Sequence, residues 1–128
     1  MDKKITYWVE LAEYDLDTAA AMLKSKRYLY VGFMAHQAIE KILKACFVST
    51  NDKTAPFSHS LSYIAKKAGI YKNFSEKQKE FLDQLEPLNI EARYPSHKEQ
   101  LLASLTERRC NEILNKTKEL YAWIKQKL

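Results

Sequence analysis

Residues 29–48, LYVGFMAHQAIEKILKACFV, are the stretch that decides the fold. The segment is apolar nearly all round, which is typical of a helix buried at the centre of a bundle. When successive residues are placed 100° apart, its polar side chains nevertheless fall on one narrow stripe. The stripe consists of Tyr30, Phe33, Gln37, Glu40, Lys41 and Lys44. The sequence therefore predicts a central helix with one polar seam, with His36 beside the seam and Gly32 placed to let another helix approach closely.

The rest of the chain also has helical periodicity. Apolar residues at helical spacing predict four further segments, over about residues 3–24, 59–69, 75–92 and 106–127. The connection between the first two helices is short, so we expect them to pack antiparallel. Gly69 is placed to cap the third segment, and Pro87 should bend or split the fourth. Pro95 should end the fourth segment and turn the chain.

Composition supports the same fold class. Two glycines and three prolines in 128 residues are few for a sheet protein, because hairpins need more turn residues. We therefore predict an all-α, up-down bundle of four to five helices, forming one domain over residues 1–128. No apolar run approaches the roughly 20 residues that span a membrane, and no signal peptide is evident. These features predict a cytoplasmic protein without a membrane segment.

Charge and cysteine usage restrict the possible partners only loosely. The net charge of +5 permits an acidic partner or nucleic acid but does not demand one. Acidic residues cluster on the first helix and lysines on the second, so the simplest expectation is that neighbouring helices pair these faces. Cys46 and Cys110 lie within apolar helical patterns, which predicts buried, reduced thiols.

No metal or cofactor is predicted. The three histidines are not linked by the helical spacing that metal-binding pairs use, and a bundle that binds two metal ions would need more inward carboxylates. The chain also lacks a glycine-rich phosphate loop and a serine nucleophile elbow, both of which have recognisable sequence patterns.

Residues 90–100, IEARYPSHKEQ, hold the one pair that suggests catalysis. Arg93 lies just before the break at Pro95 and His97 just after it. A guanidinium beside an imidazole suits phosphate binding and proton transfer, which is the chemistry of a metal-free ribonuclease. The alternative is structural, since cations in a last helical turn stabilise that turn.

Three segments together resemble the signatures of the HEPN domain family: AHQAIEKILKACF, FSHSLSYIAKKAGI and IEARYP. The resemblance covers about Tyr7 to Ile124. It implies a compact helical bundle that is usually a homodimer and is often encoded beside a minimal nucleotidyltransferase, in pairs that can act as toxin and antitoxin. The fifteen aromatic residues also favour a homodimer, because one small core does not easily bury so many. Catalytic members of the family are metal-independent ribonucleases with an arginine followed, after four to six residues, by a histidine.

The catalytic motif of the family is not reproduced here. Only three residues separate Arg93 from His97, and one of them is Pro95. The ARYP ending resembles a separate branch of the family. We therefore predict that Arg93 and His97 are not a ribonuclease pair, and that His97 lies on the more solvated side.

The resemblance also implies a pocket between the second helix and the end of the fourth. The residues that match the family's motifs there are Gln37, Glu40, Lys41, Lys44, His59, Arg93 and Tyr94. We expect Arg93 to contact Glu40, either in a ligand site or in a buried ion pair that fixes the bundle. The first functional hypothesis is a homodimeric interaction module that engages a nucleotide, RNA or a partner nucleotidyltransferase. The second is a metal-independent endoribonuclease that uses Arg93 and His97.

Overall fold

A computed structural model of the chain describes residues 2–92 and 95–128. All regular structure in this part of the chain is helical, which confirms the predicted all-α class. The α-helices are α1 (Lys3–Lys24), α2 (Tyr28–Thr50), α3 (Leu61–Lys67), α4 (Glu76–Leu85), α5 (Pro95–Ser104) and α6 (Glu107–Lys125). Short 3-10 segments cover Tyr71–Asn73, Glu86–Leu88 and Ile90–Ala92.

Helix α2 is the centre of the bundle, as its sequence predicted. Ile39, Ile42 and Leu43 are fully buried, and each such side chain contributes roughly 1.5–3 kcal/mol when it leaves water. The helix packs against α1, α3 and α6. Most of its surface is therefore protein-covered, so any polar side chain on it must find a partner inside the bundle.

Two contacts show how the long helices are oriented. Trp8, early in α1, lies against Lys44, late in α2, and Asp15 lies against Lys41. The two helices are therefore antiparallel, as the short connection between them predicted.

Helices α2 and α6 run in the same direction. Near the ends of both helices, the Sγ of Cys46 lies 3.7 Å from the carbonyl oxygen of Ile124. Near their starts, the Sγ of Cys110 lies 3.7 Å from the carbonyl oxygen of Tyr28. Both cysteines are buried and free, as predicted.

Gly32 allows the close approach that its position in α2 predicted. A Cβ at Gly32 would lie 3.3 Å from Leu88 Cδ1 and 3.5 Å from Leu105 Cδ1. The neighbours are a 3-10 segment and the residue that follows α5, rather than another long helix. Gly32 therefore lets the turn after α4 dock on α2.

The predicted helix boundaries are confirmed at three places. Gly69 follows α3 with φ of +79°, and the N–H of Ile70 bonds the carbonyl of Ala65 at 3.2 Å, the closing bond of a glycine-terminated helix. Ser75 and Gln78 form a reciprocal capping box at the start of α4. Thr106 caps α6 by accepting a hydrogen bond from the Arg109 backbone.

The segment around the prolines is partly as predicted and partly different. Pro87 splits the fourth segment, because α4 ends at Leu85 and a 3-10 turn follows. The prediction that Pro95 only ends a helix was wrong, since Pro95 begins α5. A proline is tolerated at the first helical position because the N–H it lacks has no partner there. The bundle thus has six α-helices among the described residues instead of four to five. None of these helices is long and apolar enough to span a membrane.

Candidate functional site

The carboxylate of Glu40 is the centre of a buried polar cluster on α2. Glu40 is 3% exposed. Its Oε2 lies 3.1 Å from the Nζ of Lys44, one turn along the helix. Its Oε1 lies 3.0 Å from the Nδ1 of His59, which comes from the loop before α3. We use the term polar cluster for Asp15, His36, Gln37, Glu40, Lys41, Lys44 and His59.

His59 connects the buried carboxylate to solvent. The His59 side chain is 60% exposed, although its Nδ1 bonds the carboxylate of Glu40, which is buried. When Nδ1 carries the proton it donates to Glu40, and the second ring nitrogen, Nε2, is then the acceptor offered to a ligand or to water. Glu40 therefore fixes the tautomer and the position of an otherwise exposed imidazole.

The start of α3 holds His59 in place. Ser60 caps this helix by accepting a hydrogen bond from the Tyr63 backbone. The Oε1 of Glu86 accepts from the backbone N–H of Leu61 at 2.6 Å and, less closely, from that of Ser62. A carboxylate at a helix N-terminus stabilises that end. The residue after α4 thereby anchors the α3 turn that positions His59.

The second branch of the polar cluster joins α2 to α1. The Nζ of Lys41 lies 2.5 Å from Asp15 Oδ2 and 3.3 Å from Gln37 Oε1. Burial raises the pKa of Asp15, and the Lys41 ammonium offsets part of that rise. This contact confirms in part the predicted pairing of the acidic first helix with lysines of the second, since Glu13 of α1 pairs instead with Lys125 of α6.

His36 belongs to the polar cluster, although the sequence placed it beside the seam. It is fully buried, and its Nδ1 accepts from Gln37 Nε2 at 3.3 Å and lies 4.0 Å from Glu40 Oε1. Its Nε2 is buried with no hydrogen-bond partner among the described residues. Burial lowers the pKa of His36 to about 4, against the opposing effect of the Glu40 charge. The His36 ring is therefore neutral at pH 7. The sequence feature that could have placed His36 in the polar cluster is its spacing of four residues from Glu40.

Trp8 is a member of the site that sequence reasoning could not have found. The Nζ of Lys44 lies 5.4 Å from the centroid of the Trp8 ring, within the range of a cation–π contact. Lys44 is thus held between an aromatic ring of α1 and the carboxylate of Glu40. Only the packing of α1 on α2 brings these groups together.

The remaining predicted residues lie in or near the α4–α5 connection. Arg93 and Tyr94 lie outside the described residues, so the contact between Arg93 and Glu40 stays a prediction. His97 lies in the first turn of α5 with its side chain exposed. It borders a cavity of about 200 Å³ that Pro87, Gln100 and Leu101 also line. Throughout residues 2–92 and 95–128, the polar cluster included, no three His, Cys, Asp or Glu side chains are grouped so that they could hold a metal ion.

Comparisons with known proteins agree with this architecture. The family model for the HEPN domain matches residues 5–127. The crystal structure of TT1696 from Thermus thermophilus superimposes with a TM-score of 0.83 at 22% identity, covering 99% of this chain and 100% of that one. The structure of ST0689, an archaeal HEPN homologue, superimposes with a TM-score of 0.64 at 20% identity, covering 98% of each chain. No curated protein gave a significant match. Because the family model spans nearly the whole sequence, the chain belongs to the HEPN domain family.

Proposed function

We propose that this protein is a binding module for a nucleotide or for single-stranded RNA, and that His59 is at the centre of its site. The observation that carries the proposal is the bond between the exposed His59 imidazole and the buried Glu40 carboxylate. Holding an exposed side chain in one position costs conformational entropy. A group that is already fixed loses less of that entropy when it binds a ligand.

The chemistry around His59 fits an anionic or amide-bearing ligand. Lys41 and Gln37, which are both half-buried, supply N–H donors along the same stripe of α2. The net charge of +5 favours a negatively charged partner, because it attracts such a partner from a distance. Membership of the HEPN family supplies the ligand class, since nucleotide- and RNA-related roles are known in that family.

Binding to RNA and its dependence on His59 test the proposal. Fluorescence anisotropy of a labelled single-stranded RNA should report saturable binding by the parent protein at low salt. His59→Ala should weaken that binding by about two- to tenfold, because the hydrogen bond that Nε2 accepts from an N–H or O–H of the ligand is worth roughly 0.5–1.5 kcal/mol. His97→Ala removes the other exposed imidazole and should bind like the parent. The proposal is wrong if the parent does not bind, or if only His97→Ala weakens binding.

We also propose that the protein is a homodimer. Tyr14 of α1 is 73% exposed and Tyr30 of α2 is also exposed, and large exposed aromatics are enriched at interfaces. Light scattering at micromolar concentration should give twice the 15.0 kDa mass of one chain. A single-chain mass throughout a dilution series would contradict the proposal.

The cellular setting is proposed on the family resemblance alone. We propose that residues 1–128 form a single HEPN domain and that the protein is located in the cytoplasm. Its partner would be a minimal nucleotidyltransferase, and the two would have a toxin–antitoxin role. Co-expression with a nucleotidyltransferase encoded beside its gene should give a complex that survives size-exclusion chromatography. Growth arrest by the HEPN chain alone, relieved by its partner, would support the toxin–antitoxin role, and separate elution would contradict the partnership.

One observation favours a second function, that of a metal-independent endoribonuclease. An imidazole whose Nδ1 is held by a carboxylate is a common arrangement for moving a proton at Nε2, and His59 and Glu40 have this arrangement. RNA should be incubated with the protein in EDTA, with the variants His59→Ala, His97→Ala and Arg93→Ala in parallel. Cleavage that is lost in His59→Ala would assign the proton transfer to His59. Cleavage lost in both Arg93→Ala and His97→Ala would instead assign it to that pair.

A further inference from the structure

A second candidate site lies at the start of α1, beside the polar cluster. A cavity of about 350 Å³ there is lined by Lys3, Lys4, Tyr7, Trp8, Val48, Lys53, Thr54 and Ala55. We call it the N-terminal cavity. Its volume lies at the lower end of the range for pockets that hold small ligands.

The three lysines of the N-terminal cavity have no partner of opposite charge in residues 2–92 and 95–128. Lys3, Lys4 and Lys53 are exposed, and no described carboxylate lies within ion-pair distance of their ammonium groups. Lys3 and Lys4 also occupy the first turn of α1, where the helix dipole disfavours cations. Helix stability therefore does not explain their position, whereas an anionic ligand in the cavity would.

The same cavity offers aromatic surface. Tyr7 is 58% exposed and makes an edge-on contact with Trp8, with ring centroids 5.3 Å apart. Val48 and the buried Ala55 add apolar lining. Aromatic rings beside lysines are the arrangement that binds single-stranded nucleic acid, because bases stack on the rings while phosphates contact the cations.

One residue, Trp8, links the N-terminal cavity to the polar cluster. Trp8 lines the cavity and also contacts Lys44, which pairs with Glu40. The loop that contributes Lys53 to the cavity ends at His59, whose ring bonds Glu40. This chain of contacts, from the cavity through Trp8, Lys44 and Glu40 to His59, is the reason for assigning one RNA strand to both places.

We propose that the N-terminal cavity is a subsite for one nucleotide of single-stranded RNA, with its base against Tyr7 and its phosphates on Lys3, Lys4 and Lys53. This inference rests on the proposed function, because it extends the RNA site centred on His59. A concave apolar lining beside the cations favours a single base over the flat surface of an anionic membrane.

A charge-removal experiment tests the phosphate contacts. The variant Lys3→Gln/Lys4→Gln/Lys53→Gln should be titrated with labelled single-stranded RNA at several salt concentrations. The plot of log affinity against log salt should become shallower by about 1.4, since one nucleotide of a strand is flanked by two phosphates and each neutralised phosphate of a single strand contributes about 0.7 to the slope. The control Lys72→Gln/Lys77→Gln/Lys118→Gln removes three other exposed lysines and should keep the slope of the parent protein. Equal effects of the two variants would overturn the subsite in favour of diffuse attraction.

A second experiment tests base stacking and the source of the nucleotide. The substitution Trp123→Phe leaves Trp8 as the one tryptophan of the chain. Addition of RNA to this variant should then change the fluorescence of Trp8. Tyr7→Ala should weaken RNA binding by at least about fivefold but leave binding of inorganic polyphosphate, which has no bases, unchanged. Adenosine monophosphate should bind more weakly than the RNA strand, and equal affinities would contradict a strand as the ligand.

The outcomes separate this inference from the proposed function. If the parent binds RNA through His59 but the Lys3/Lys4/Lys53 variant and Tyr7→Ala bind like the parent, the subsite is wrong and the proposed function stands. If the parent binds vesicles of anionic lipid but not RNA, both are wrong. Circular dichroism melts of each variant confirm that lost binding is not lost folding.

Discussion

The pair formed by Glu40 and Lys44 allows the energetics of the site to be measured directly. At 3.1 Å and an effective dielectric constant of about 20, the two charges attract by about 5 kcal/mol before the cost of desolvation. Removing one partner of a buried pair costs about 3–5 kcal/mol, because the other charge stays buried. In Lys44→Met, Glu40 keeps His59, so we expect a loss of about 3 kcal/mol. In Glu40→Met, Lys44 keeps the Trp8 ring and can extend toward solvent, so we expect about 2 kcal/mol.

The double variant Glu40→Met/Lys44→Met removes both charges and keeps similar volume. It should lose about 2 kcal/mol rather than the roughly 5 kcal/mol of additive effects, a coupling of about 3 kcal/mol. Urea denaturation at pH 7 and one fixed protein concentration measures each value from the shift in midpoint. Lys118→Met, at an exposed position on α6, is the control and should stay within about 0.5 kcal/mol of the parent. Additive single effects, or a Lys44→Met variant as stable as the control, would refute the buried ion pair.

Three further predictions concern single residues. The pKa of His36 is about 4 in the folded chain against an ordinary value of 6.5, so the unfolded state binds more protons between these two pH values. Burial of the neutral ring should therefore contribute about 3 kcal/mol of stability above pH 6.5, and this contribution should be lost as the pH falls toward 4. In urea melts, His36→Gln should flatten this dependence of stability on pH. Gly32→Ala should lower the free energy of unfolding by about 1 kcal/mol, because crowding against the buried Leu88 and Leu105 outweighs the helix propensity gained, and a more stable variant would show that these leucines can move. Gly69→Ala should also cost about 1 kcal/mol, through its φ of +79° rather than through contacts, since nothing lies within 4 Å of the added Cβ, and a thermal melt unchanged from the parent would contradict that.

Much of the fold follows from local rules that act within a few residues. The helices begin and end where Ser75, Thr106 and Gly69 satisfy backbone groups, and these residues are recognisable without a structure. The central position of α2 followed from its uniform apolarity. Helix α5 was missed because Pro95 was weighed only as a residue that ends a helix, whereas proline is also well tolerated as the first residue of one.

The candidate site was less predictable, because it depends on contacts between distant residues. Helical spacing placed Glu40, Lys41 and Lys44 on one stripe, but it did not show that Lys41 turns to Asp15 while Lys44 turns to Glu40 and Trp8. These choices are made by the packing of α1 on α2. His36 belongs to the polar cluster for a similar reason. The packing of the bundle buries its ring beside Glu40, and burial keeps the imidazole neutral.

The most direct test of the His59-centred site is an NMR titration of the histidine ring signals with single-stranded RNA in EDTA. The chain has three histidines, so each ring can be assigned with one substitution. We predict a saturable shift of the His59 ring signals, no comparable shift at His97, and intact RNA at the end of the titration. A binding site built on Glu40 and His59 would be contradicted if the ring signals of His97 shifted while those of His59 did not. It would also be contradicted if none of the three rings showed a shift.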